Sequence, residues 1–342
     1  MVASSGTDSR LGICTIGLGI GRRYLEAARG RDDVRVASVC ARSEARVREA
    51  QRAYDVPFGS TEYRAAIERQ DVDLVVVASP DRLHFEHAAC ALRAGKDVLC
   101  EKPMTTDAQD AQRLVDLVQQ TGRTFVVGHN YRFIPQLREL HTLAARGDLG
   151  GLYLGEGSYV QDLWSLSARG AGYWRFSDPQ DMFLGAAVHL VDILAWCLGP
   201  IDEVHAYANH RLPFYPRNEN HVASLHFRHG AIGHVVVALG SRRREQFVVT
   251  FTLHGERGAA TADNRRAEVR VDRGEDGAHV PATVAVERGD AIAAQLEHAV
   301  DCARQRREPL AGVREGAAAV AVCVAANRSS AEGRPVRPEL PT

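Results

Sequence analysis

RLGICTIGLGIGRR, Arg10–Arg23, is the stretch whose reading decides the fold. Arg10 to Ile16 mixes small and β-branched residues as a buried strand does. Gly17, Gly19 and Gly21 then arrive together, ahead of a helical run, Arg22–Arg29. A strand that turns sharply into a helix needs glycine where the backbone crowds, and the helix N-terminus it exposes favours a phosphate. The stretch therefore predicts a dinucleotide pyrophosphate site. Gly17-x-Gly19 matches the start of the G-x-G-x-x-G fingerprint, while Arg22 holds the third glycine position and Gly21 falls one residue early.

Outward from this turn, strands alternate with helices to about residue 130. Val34–Cys40 reads as the second strand, and the unbroken apolar runs Asp73–Ser79 and Lys96–Cys100 as strands buried on both faces. Thr124–Gly128 follows a helix over Asp107–Thr121. This is the pattern of a doubly wound parallel sheet, an α/β Rossmann domain over residues 10–130 after a disordered lead-in, 1–9. Beyond it the character changes. Leu152–Val160, Asp202–Arg211, His221–Gly240 and Glu245–His254 alternate as strands, and Arg265–Gly289 reads as edge strands and loops. Residues 131–330 are expected to form an α+β domain with a large, mostly antiparallel, open-faced sheet, followed by a tail, 331–342. A sheet with one face uncovered by helices is expected to associate subunits, as a homodimer or homotetramer.

Composition narrows the partners. Lys+Arg 42 against Asp+Glu 43 gives a net charge of −1, so no global field favours nucleic acid or an anionic membrane. No apolar run is long enough to suggest a membrane span, and the N-terminus lacks the apolar core of a signal peptide. Seven cysteines without a C-x-x-C pair read as reduced and structural. A cytoplasmic protein acting on a small molecule is expected.

Several residues point to chemistry. The tip of the second strand, Ala41-Arg42-Ser43, offers a guanidinium and a hydroxyl where an adenosine ribose would lie, and no carboxylate. That favours NADP(H), with NAD(H) as the alternative. His84 and His87 share a helix, but no further Cys or His lies nearby to complete a metal site, and none is expected. His84 is placed instead at the cofactor groove. Lys102 sits between Glu101 and Pro103 directly after a buried strand, so proline aims its side chain. His189 and Asp192 lie three apart on one helix, which would let the carboxylate orient the ring or raise its basicity.

Together, AGKDVLCEKPM (Ala94–Met104), VGHNYRF (Val127–Phe133), YWR (Tyr173–Arg175) and HLVD (His189–Asp192) resemble the Gfo/Idh/MocA family, the glucose–fructose oxidoreductase and inositol dehydrogenase group. The resemblance implies a two-domain oxidoreductase moving hydride between a nicotinamide and a carbon of a sugar, amino sugar or cyclitol. By position, Gly17, Gly19 and Ile20 would approach the pyrophosphate, and Arg42 and Ser43 the adenosine end. Ser79, Pro80, His84, Glu101, Lys102 and Asn130 would line the rest of the groove, with Trp174 and Arg175 reaching in from the second domain. Lys102 and His189 would be catalytic, and Arg132, Tyr159, Trp164, Tyr173 and Asp192 would join them around the substrate. One departure stands out: many members carry an acid four positions before the histidine, where this chain has Gly185. Tyr159, Asp162 or Asp181 could stand in for it. Two other functions fit the resemblance, a glycoside hydrolase that retains its cofactor and a non-catalytic dinucleotide-binding sensor or accessory subunit.

Overall fold

The structure, a computed structural model, describes residues 9–168, 181–242, 247–275 and 278–341. The chain divides into two compact units: Met1–Glu101, Arg113–Gly128 and Ile292–Val313 form the first, and Lys102–Gln112, His129–Ala291 and Arg314–Thr342 the second.

The first unit begins with β1 (Leu11–Ile16), α1 (Gly21–Arg29), β2 (Val34–Cys40), α2 (Glu44–Tyr54), β3 (Phe58–Ser60) and α3 (Tyr63–Ile67). It continues through β4 (Leu74–Val77), α4 (His84–Arg93), β5 (Asp97–Cys100), α5 (Ala108–Thr121) and β6 (Phe125–Val127). The six strands are parallel, in the order β3-β2-β1-β4-β5-β6. Every residue of β1, β4 and β5 is buried, as the apolar runs require. The order reverses between β1 and β4, and open α/β sheets bind ligands beyond the strand ends at such a switch point.

The second unit holds α6 (Pro135–Ala145), β7 (Leu152–Gln161), α7 (Trp164–Ser167) and α8 (Met182–Leu198). There follow β8 (Ile201–Asn209), β9 (Asn220–Phe227), β10 (Ile232–Ala238), β11 (Phe247–Gly255), β12 (Gly258–Asp263), β13 (Glu268–Glu275) and β14 (Ala278–Ala285). Of the closing helices, α9 (Ala291–Gln305) belongs from Ile292 onward to the first unit, whose core includes its Leu296, Ala299 and Val300, and α10 (Val313–Glu332) closes the second. The eight strands run β14-β13-β12-β11-β7-β10-β9-β8, antiparallel except for β7 with β10. The segment expected to supply edge strands does so as a β13–β14 pair, registered from Glu268 opposite Ala285 to Glu275 opposite Ala278.

Strand β9 shows why one face of this sheet is buried. His221, Ala223, Leu225 and Phe227 point inward, and Val222, Ser224 and His226 point out. The inward residues join α6, α8 and α10 in one apolar core. Helix α8 is apolar nearly all round and lies close on β7 because Gly155 leaves room: a Cβ there would meet Leu198 Cδ1 at 2.6 Å. The opposite face leaves Tyr207, Val222 and Ile232 exposed. No described helix is long and apolar enough to cross a membrane.

Burial holds three histidines neutral. His87, His129 and His221 are each pushed down to about 4, with desolvation the largest cause. Unfolding returns each to an ordinary value near 6.5, so the unfolded chain binds the extra protons and stability falls as pH drops from about 6.5 toward 4. Each contributes up to about 1.4 kcal/mol per pH unit in that window. The denaturation midpoint is expected to drop steeply between pH 6.5 and 5, and a midpoint constant over that range would refute the buried neutral state.

Candidate active site

Strand β1 ends in a turn shaped for close approach. Gly17 has φ +90°, and a Cβ there would lie 2.3 Å from Ala78 O, so only glycine fits between β1 and the end of β4. A Cβ at Gly19 would meet nothing within 4 Å, and Ile20 beside it is exposed. The first turn of α1 carries no acidic residue. An open glycine turn, a helix whose first turn carries no acid of its own and a switch-point strand end fit a dinucleotide pyrophosphate.

The rest of this groove is held by buried polar groups. Beyond β4, His84 Nε2 lies 2.7 Å from Ser79 O and His87 Nδ1 lies 2.9 Å from Ser79 Oγ, so both imidazoles brace the Ser79-Pro80 turn. Glu101 is buried, and the Tyr24 hydroxyl donates to its Oε1 at 2.6 Å. At the tip of β2, Arg42 is exposed, and Ser43, the N-cap of α2, makes no side-chain capping bond. Glu44 is drawn to Arg48 at 2.8 Å.

In the second unit, Lys102 Nζ donates to the Gly185 carbonyl at 3.0 Å, one turn of α8 before His189. His189 is buried, its Nδ1 without a hydrogen-bond partner among the described residues. Burial, then Lys102, then His129 hold it well below the usual imidazole value, so it is unprotonated at neutral pH. Tyr131 stacks on it, centroids 3.9 Å apart and planes 14° from parallel.

Asp192 takes another partner. Helical spacing offers it to His189, but Arg132 claims it: Nη2 donates to Oδ1 at 2.7 Å and Nε to Oδ2 at 3.0 Å, both side chains being buried. A planar guanidinium satisfies both carboxylate oxygens at once, which a single imidazole cannot do. Arg132 also lies over the Trp196 ring at 5.1 Å, and His129 Nε2 is 3.7 Å from Asp192 Oδ1.

Asn130 is half-buried in the 3-10 turn Asn130–Phe133. Tyr159 meets Phe247 edge-on at 5.0 Å. The Trp164 indole donates to Gly240 O at 3.2 Å, with Arg242 over its ring at 4.1 Å. Asp181 caps α8 through Leu184 N and receives Asn327 Nδ2 at 2.6 Å, and Asp162 accepts from Ser165 N. Both acids are thus committed locally. Tyr173, Trp174 and Arg175 lie outside the described residues. Sequence reading missed the roles of His129 and Tyr131, although both stand in the VGHNYRF stretch; their link to α8 is tertiary and has no spacing signature.

Comparisons with known proteins give the family. A family model described as an oxidoreductase family with an NAD-binding Rossmann fold matches residues 11–129, and its C-terminal α/β domain matches residues 143–337. Inositol 2-dehydrogenase 1 of Saccharopolyspora erythraea is 31% identical over 273 residues, 79% of this chain and 78% of that protein. Levoglucosan dehydrogenase of Pseudarthrobacter phenanthrenivorans is 25% identical over 253 residues, 65% of this chain and 64% of that protein. The chain thus spans less than two thirds of the latter's length. A solved levoglucosan dehydrogenase, in complex with NADH and L-sorbose, has the same fold, with a TM-score of 0.89 at 21% identity over 97% of this chain and 100% of that one.

Proposed function

Because the chain belongs to the Gfo/Idh/MocA oxidoreductase family, we propose that it interconverts an alcohol and a ketone on a sugar, amino sugar or cyclitol, with Lys102 and His189 as its catalytic residues. The observation that carries this reading is the meeting, in one unit, of a lysine ammonium fixed by a main-chain carbonyl and a buried imidazole held neutral beside it.

An alcohol releases hydride only if its hydroxyl proton leaves with it, so a base must be within hydrogen-bond reach. His189 accepts that proton. Lys102 donates a hydrogen bond to the same oxygen and stabilises the alkoxide charge as it develops. In the reductive direction the proton returns from the protonated His189 to the carbonyl oxygen. When bound, the nicotinamide supplies or takes the hydride at C4. Gly17, Gly19 and Ile20 would hold the pyrophosphate, Ser79, Pro80, His84 and Glu101 the middle of the groove, and Arg42 and Ser43 the adenosine end. With a guanidinium at that tip and Glu44 engaged by Arg48, NADP(H) is favoured over NAD(H).

The exposed Tyr207, Val222 and Ile232 support a second copy of the chain on the open sheet face, as homodimer or homotetramer. Sedimentation as a monomer at micromolar concentration would contradict it. Seven free cysteines suit a reducing compartment such as the cytoplasm.

The deciding experiment is a turnover screen of NADPH against NADH, and their oxidised forms, with sugars, keto-sugars and inositols. The expected result is a change in nicotinamide absorbance with at least one polyol or its ketone, larger for the phosphorylated cofactor at low concentration. Product formed with no net absorbance change points to the cofactor-retaining hydrolase, and no dinucleotide binding at all rejects the reading.

A further inference from the structure

The 3-10 turn Asn130–Phe133 and the residue before it meet α8 at three points: His129 approaches Asp192, Tyr131 covers His189, and Arg132 clasps Asp192. A catalytic imidazole usually has its ring orientation fixed by a carboxylate or carbonyl on its second nitrogen. Here Asp192 is consumed by Arg132, and His189 Nδ1 has no partner among the described residues. Among the described residues, no hydrogen bond at Nδ1 fixes the ring. Among the described residues the Tyr131 phenol stacks on it, near-parallel at 3.9 Å, itself set edge-on against Phe251 at 6.4 Å and 83°.

We propose that Tyr131 is the positioning residue of this site, its ring face holding the His189 imidazole in its proton-accepting orientation and sheltering the imidazolium that forms when the substrate proton arrives. The inference rests on the proposed dehydrogenase reading. A flat stack removes rotation about the last side-chain torsion of His189, and an aromatic face attracts a cation brought out of water. The phenol oxygen plays no part, so the ring alone is needed.

The test compares Tyr131→Leu and Tyr131→Met with Tyr131→Phe. Loss of the ring is expected to lower kcat about 10-fold with substrate KM within about twofold, since the side chain acts on the base and does not touch substrate. Tyr131→Phe is expected to retain kcat within about threefold. A readout independent of turnover is the proton spectrum of the His189 ring: stacked under Tyr131 its signals are displaced upfield, a displacement kept in Tyr131→Phe and lost in Tyr131→Leu. Unchanged kcat in Tyr131→Leu and Tyr131→Met, or Tyr131→Phe as impaired as they are, overturns the role of the ring. Should the unsubstituted protein turn over no polyol while the displacement is present, the dehydrogenase reading fails and takes this role with it.

Discussion

Replacing Lys102 by Met is expected to lower turnover by at least ~100-fold, and replacing His189 by Ala to do the same, the range for losing acid–base catalysis at one position. The two losses have different physical origins. Without Lys102 the alkoxide developing in the proposed reaction faces no ammonium. Without His189 the hydroxyl proton has no acceptor. With both groups proposed to serve one oxygen in one step, the double variant should lose little more than the worse single one. Dinucleotide binding by fluorescence titration should survive in His189→Ala, since that side chain belongs to the second unit. Steady-state rates within tenfold of the parent for both variants would remove these residues from the chemistry.

The second large effect concerns folding. Substituting Asp192→Asn, or Arg132→Met, should destabilise the second unit by about 3–5 kcal/mol, because each strands one member of a buried ion pair without its partner. Asp192→Asn leaves the Arg132 guanidinium against Trp196 without that carboxylate, and Arg132→Met leaves a buried carboxylate 3.7 Å from His129 Nε2. Burying both positions as apolar residues, Arg132→Met with Asp192→Leu, should recover much of the loss, since the cost lies in the unpaired charge rather than in the pair itself. Denaturant unfolding measures both. Single variants shifted by less than about 1 kcal/mol would mean that the pair is not buried in solution.

What could be read from residues alone follows from range. Apolar runs gave β4 and β5, and small and β-branched residues β1, because central parallel strands are buried on both faces, and period-two alternation gave β9 because one of its faces is wet. The glycine turn was legible because Gly17 answers a local backbone demand. The partner of Asp192 was not. Three-residue spacing says which face of α8 it shares with His189, but not that a guanidinium 60 positions earlier outcompetes the imidazole for both oxygens. For the same reason Tyr131 was invisible as a neighbour of His189: a short 3-10 turn carries no periodicity that reveals what it will cover.

The lysine's anchor at position 185 is an oxygen of the main chain, not of a side chain. A carboxylate in that place could be deleted by a single nucleotide change, whereas every amino acid brings its own carbonyl. The residue at 185 can therefore drift among those that keep α8 helical while the ammonium stays tethered, which makes this corner of the protein tolerant of mutation where a side-chain acid would be fragile.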